Sequence, residues 1–207
     1  EELEDTKNLI KLYNDSGIDK ILIYDLSTED EEHELNIHTI KELNRLLEIP
    51  LCAGGNINRL EDVKKLIYAG CKEVILKPST AQLAMEASKR FGKEKIIISL
   101  KNVDYIFKHQ KELQESVHEI LVMNQEILDS VENLTDIIYL VEQNELDMDK
   151  LTTLLKRDNV RGICGEFIND LETDIMKLKT ELSRNGIKMD NFDPAISWEN
   201  LKKNSDG

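Results

Sequence analysis

Between residues 17 and 101 the chain alternates short apolar runs with longer amphipathic stretches. The runs in GIDKILIYDLS, IPLCAGG, CKEVILKPS and KIIISLKN are rich in β-branched residues, and each ends in small or polar positions. The stretches NIHTIKELNRLLE, RLEDVKKLIYAG and TAQLAMEASKRFG space their apolar residues three and four apart, as one face of a helix does. Wholly apolar strands alternating with helices predict parallel strands buried on both faces and joined by helical crossovers.

In detail, the pattern predicts helices over 5–16, 36–47, 58–70 and 80–91, with strands at 20–25, 51–53, 73–76 and 96–100. Residues 27–34 read as a solvated acidic loop. The second half keeps the cadence more weakly. A helix over 105–117 precedes a strand at 119–123, and a short helix over 127–134 precedes a strand at 136–141. A helix over 148–157, a strand at 160–164 and a helix over 174–185 complete it. EILVMNQEIL also admits one long helix over 105–134, but that would leave a gap in the topology, so the strand is preferred. The expectation is an α/β fold, a (β/α)8 TIM-like barrel that begins with a helix and lacks its first strand. Seven strands do not close with the stagger of eight, so the barrel should be open. After residue 190 the texture changes: NFDPAISWENLKKNSDG offers no clear element and holds the lone Trp. The expected organisation is therefore a barrel over 1–190 and a linker over 191–207.

Composition narrows the function. With 41 acidic against 27 basic residues the net charge is −14, which argues against a nucleic-acid partner. No apolar run reaches the length of a membrane span, and a cytoplasmic location is expected. Cys52, Cys71 and Cys164 fall in or beside strands without CxxC spacing, as buried reduced thiols do. His33, His38, His109 and His118 show no ligand spacing, so neither a metal nor a cofactor is expected.

In parallel α/β folds ligands bind at the carboxyl ends of the strands. Gly54-Gly55 follows the second run; two glycines before a helix let backbone N–H groups approach a phosphate, and equally make a tight turn. Ser79 and Thr80 close the next run and could donate hydroxyls to the same anion or simply cap a helix. Lys77 stands beside them. Asp25 ends the first run; it could act as a base, hold a ribose hydroxyl, cap its loop or pair with Lys101.

DTKNLIKLYNDSGIDKILIYDLS, IPLCAGGNINRLEDVKKLIYAGCKEVIL and FGKEKIIISL together resemble the histidine-biosynthesis barrels, above all the cyclase subunit of imidazole glycerol phosphate synthase. MKLKTELSRNGIKM resembles that family's last helix. The resemblance implies a bis-phosphorylated ribonucleotide held across the barrel mouth, and catalysis by aspartates ending strands one and five. It places the family's strand-three glycines on Gly54 and Gly55. It also puts Lys101 where the strand-five aspartate belongs and Lys77-Pro78 where the family has Asn-Thr. Met123-Asn124-Gln125 and Val141-Glu142-Gln143 stand at the glycine-rich ends of strands six and seven. WENLKKNSDG resembles the opening of phosphoribosyl-AMP cyclohydrolase. The combined expectation is a non-catalytic barrel, a scaffold or ligand sensor, fused to a cyclohydrolase and pyrophosphohydrolase. The alternative is an active cyclase or isomerase holding its substrate phosphate at Gly54-Gly55. A homo-oligomer remains open.

Overall fold

The computed structural model describes residues 2–189 apart from 124, 132, 135–136, 144, 166–167 and 169–172. The segment 190–207, with the expected linker and the cyclohydrolase-like stretch, lies outside the described residues. Seven parallel strands form one sheet in sequence order: β1 (Ile21–Tyr24), β2 (Leu51–Gly54), β3 (Glu73–Leu76), β4 (Ile96–Leu100), β5 (Glu119–Val122), β6 (Tyr139–Glu142) and β7 (Val160–Cys164). Every neighbouring pair is parallel, with β1 and β7 as the two edges. This is the curled, open arrangement that the pattern predicts. Within EILVMNQEIL, EILV forms the strand β5, with Ile120 and Leu121 paired to both neighbours, and QEIL opens a helix.

The helices are α1 (Glu2–Asp15), α2 (Asp30–Leu46), α3 (Leu60–Tyr68), α4 (Ala81–Phe91), α5 (Val103–Lys108), α6 (Gln110–Ser116), α7 (Gln125–Ser130), α8 (Met148–Leu155) and α9 (Ile175–Arg184). Two readings need correction. The acidic stretch taken as a loop is largely the start of α2, because Asp30, Glu31 and Glu32 fill its first turn, where carboxylates complement the helix dipole. The helix expected over 105–117 is two helices, since His109 leaves the helical conformation at φ −120, ψ 24. His109 caps both pieces, donating its N–H to the Tyr105 carbonyl and accepting from the Leu113 N–H. The bend lets Ile106 and Leu113 both reach the core.

The strands' two faces serve different cores, as a period of two requires. One face packs under the helices in a large cluster that includes Val74, Ile96, Ile98, Ile120 and Tyr139. The other face forms the concave interior, where Cys52, Ile75, Ile97, Leu121 and Leu140 make a separate buried layer flanked by Leu22 and Cys164. Each strand contributes one residue to that inner layer. Burying such Ile and Leu side chains stabilises the fold by about 1.5–3 kcal/mol apiece. At the seam between the edges, α9 reaches back to the start of β1. Lys179, 6% exposed, donates to Asp19 at 2.6 Å across 160 residues of sequence.

Candidate functional site

Two charged places lie on the concave face, one at each end of the strands. At the amino ends, Lys20, Glu73 and Glu119 stand two residues before Leu22, Ile75 and Leu121, so alternation turns all three inward. The Lys20 ammonium lies 2.6 Å from Glu73 Oε1 and 3.6 Å from Glu119 Oε2. Both carboxylates are 1% exposed. Arg161 adds a guanidinium 3.3 Å from Glu119 and donates to His118 Nε2 at 3.0 Å. Glu73, His118 and Glu119 bring ligand-type atoms within 4.8 Å of one another, a grouping the sequence reading did not foresee. Lys20 and Arg161 already supply two positive charges to the two carboxylates, so this is a balanced ion network. Burial alone would lower the Lys20 pKa, but the hydrogen bond to Glu73 and the Glu119 charge outweigh it and hold it raised.

At the carboxyl ends the strands open onto a cleft of about 860 Å³. Lys77 follows β3, Lys101 follows β4, and Lys108 ends α5; all three are exposed and line the cleft. Asp104, Tyr105 and His109 form the wall on that side, with the Tyr105 and His109 rings 4.3 Å apart. Asn102 shapes this wall by accepting the Asp104 N–H at 2.7 Å, an N-cap that starts α5 directly after the strand.

The expected site residues fall in different places. Gly54 ends β2 opposite Tyr24, and a Cβ there would stand 2.7 Å from the Tyr24 ring. Gly55 lines the cleft at φ +82, with its own Cβ position 2.1 Å from the Asp25 carbonyl oxygen. Both glycines are thus required by close packing against β1, which accounts for the pair independently of any anion. Ser79 is exposed on the 3-10 turn Pro78–Thr80 and stands outside the residues lining the cleft; Thr80 ends the same turn. Lys101, directly after β4, is exposed and lines the cleft.

Asp25 borders the cleft, but its carboxylate is taken up locally. It shares the parity of Ile21 and Ile23, whose face packs under the helices. Oδ1 accepts from the Ser27 N–H at 3.0 Å, the Ser27 hydroxyl at 2.6 Å and Asn36 at 2.8 Å, while Oδ2 meets His33 Nδ1. Burial alone would raise the Asp25 pKa, yet these hydrogen bonds, Ser27 and His33 foremost, hold it well below the usual carboxylate range. Of the roles open to it, capping the loop is the one this geometry fits, and no ion pair joins it to Lys101 among the described residues. Tyr24 stands at the mouth with its hydroxyl pKa pushed up to about 12 by burial and by the neighbouring Cys164 and Glu142. It therefore stays a neutral donor at physiological pH.

Lys108 and Tyr105 were not among the expected site residues, and His33 and His109 entered the sequence reading only as histidines without ligand spacing. His33 hides in an acidic run eight residues from Asp25. A lysine on a helix end carries no signal of facing a cleft until the helix is known to follow a strand directly.

A parallel α/β sheet curled into an open barrel, with helices outside and a cleft at the strands' carboxyl ends, defines a barrel-type α/β domain. The chain belongs to the histidine biosynthesis protein family, whose sequence pattern matches residues 1–140. It is 26% identical over 211 residues to imidazole glycerol phosphate synthase subunit HisF of Staphylococcus saprophyticus, covering 84% of each protein. It is 31% identical over 99 residues to the same subunit of Helicobacter hepaticus, covering 46% of this chain and 39% of that protein. Against the Staphylococcus aureus subunit it is 34% identical over 96 residues, covering 45% and 38%. The alignments above 30% identity thus span less than half of those relatives. No helix of the described residues is long and apolar enough to cross a membrane.

Proposed function

We propose that this chain is a HisF-type barrel that seats a phosphorylated ribose or ribonucleotide in the cleft at its strand ends. One observation carries the reading. In a chain of net charge −14, three lysines, Lys77, Lys101 and Lys108, gather on one cleft whose open carboxylate is Asp104. A local cationic mouth on an acidic surface draws anionic ligands inward and repels them elsewhere. Gly55 and the adjoining turn allow a phosphate to approach the backbone, while Lys77 and Lys101 neutralise it. The relatives' name, imidazole glycerol phosphate synthase subunit, supports a phosphorylated ligand of this kind. With the Asp25 carboxylate directed to Ser27, His33 and Asn36, Asp104 and His109 are the cleft groups able to exchange a proton with it.

Calorimetric titration with ribose phosphate and inorganic phosphate tests the binding. Saturable binding that weakens with salt and falls about tenfold in Lys101→Ala is the expected result. No heat at millimolar ligand would overturn it.

A second reading, a catalytically silent barrel joined to a histidine-biosynthesis hydrolase, is favoured by Lys101. An ammonium stands at the strand end where the family resemblance calls for a carboxylate base, and an ammonium has no lone pair with which to take up a proton. Turnover of the cyclase substrate by the purified chain would exclude this second reading.

A further inference from the structure

We infer that Glu73, His118 and Glu119, at the amino ends of β3 and β5, form a binding site for a divalent transition-metal cation of the zinc type. The site lies at the end of the strands opposite the cleft, so it stands or falls independently of what the cleft holds.

The strand order assembles it. Glu73 begins β3 and Glu119 begins β5, and their side chains meet inside the sheet across the intervening β4. His118 directly precedes Glu119 and donates its backbone N–H to the Ile96 carbonyl at 2.7 Å. One ligand-type atom from each of the three lies within 4.8 Å of the others. Zinc sits about 2.0–2.2 Å from such atoms, so modest side-chain rotation brings all three onto one ion.

Lys20 and Arg161 balance the charge of this network, but its hydrogen bonding is incomplete. Lys20 and the Cys52 thiol both donate to Glu73 Oε1, which leaves Oε2 without a donor. Neither oxygen of Glu119 accepts a hydrogen bond, although Lys20 and Arg161 stand 3.6 and 3.3 Å away. Both carboxylates are almost wholly buried. Buried oxygens without donors are costly, and a coordinated cation would satisfy them.

The histidine supplies the third donor. A guanidinium only donates, so the 3.0 Å contact from Arg161 makes His118 Nε2 the acceptor. Its lone pair therefore faces the carboxylates, 3.5 Å from Glu119 Oε1, in the form of imidazole that binds metals. The Arg161 side chain is 48% exposed and can swing into water, freeing His118 and Glu119 together. Lys20 can stay on Glu73 Oε1, since the ion needs only Oε2. One imidazole and two carboxylates suit zinc; calcium, which takes about six to eight oxygens, is a poor match.

The test is calorimetric titration of the whole chain with zinc chloride, with cobalt(II) as a coloured substitute. Saturable binding, a visible cobalt band and a raised melting temperature are the expected results. His118→Ala and Glu119→Gln should each weaken zinc binding by more than about tenfold, the loss that even outer partners of a metal ligand cause. Arg161→Met, which removes the competing cation, should tighten it severalfold. Circular dichroism establishes that each variant is folded, and the partly exposed His118 provides a reading even where Glu119→Gln does not fold. His33, His38 and His109 offer zinc other contacts, so unchanged affinity in folded His118→Ala would show an adventitious ion only and overturn the site. No heat at submillimolar zinc, or unchanged or weaker binding in folded Arg161→Met, would overturn it as well.

Discussion

The Lys20 ammonium sits 2.6 Å from Glu73 Oε1, and the Glu73 side chain is 1% exposed. A cation at the rim of the sheet thus neutralises a carboxylate buried among apolar strands, and it reaches Glu119 on β5 as well. Lys20→Met should destabilise the protein by about 3–5 kcal/mol, because it strands a buried charge. Pairing it with Glu73→Gln should recover a good part of that loss. Urea unfolding of the three variants measures both. The ammonium's pKa is raised on folding above its ordinary 10.5. Its stabilisation is therefore complete below pH 10.5 and fades as the pH climbs through the folded value.

Asp25 should behave in the opposite sense. Its carboxyl is held below the ordinary 3.8 in the folded chain. The stability it contributes is present above that pH and is lost as acid approaches the folded value. Asp25→Asn should cost about 2–3 kcal/mol through lost charge-assisted hydrogen bonds to Ser27, Asn36 and His33. Ribose phosphate affinity in the variant should stay within twofold. A tenfold loss of affinity would show the carboxylate facing the ligand.

The two glycines after β2 should fail differently on substitution. Gly54→Ala sets a methyl 2.7 Å from the Tyr24 ring, a side chain able to move. We expect a loss of about 1–3 kcal/mol, the usual range for overpacking, and rescue by Tyr24→Ala. Gly55→Ala meets the Asp25 carbonyl oxygen at 2.1 Å and holds a positive φ. No side-chain truncation should rescue it, and thermal melts of the single and double variants separate the cases.

Thiol chemistry should report the core. Burial raises the thiol of Cys52 to about 12 and those of Cys71 and Cys164 to about 11. At pH 8 the folded protein should react with a thiol-specific chromogenic disulfide orders of magnitude more slowly than the denatured chain, because the thiolate is the nucleophile. Cys164, the one thiol that is not fully buried, should react first. A fast phase from Cys52 would contradict its place in the inner layer.

The strands were legible because parallel sheets bury both faces and so write themselves as unbroken apolar runs. The strands expected at 73–76, 96–100 and 160–164 are β3, β4 and β7 to the residue. EILV was harder, being too short to separate strand from helix by period, and its neighbours in the cadence decided it. The acidic run before α2 misled because high charge resembles a loop, while helix dipoles favour carboxylates at that end. The site was legible only as a location. Lys20, Glu73 and Glu119 look like ordinary flanking charges until seven strands stand side by side and alternation turns them inward. Gly54 and Gly55 carried a signal as a pair, but their close packing on the Tyr24 ring and the Asp25 backbone shows only once β1 and β2 lie side by side. Lys101 could be placed at the mouth because a strand end fixes it; the Tyr105–His109 wall could not, since it depends on a helix break that apolar spacing does not encode.

The contact between Lys179 and Asp19 joins residues 160 apart. A tie of that span closes only after the intervening residues have been laid down, and it makes the turn before β1 depend on α9. Trimming α9 should therefore loosen the chain at its opposite end, so that the domain melts as one unit instead of fraying from its carboxyl side.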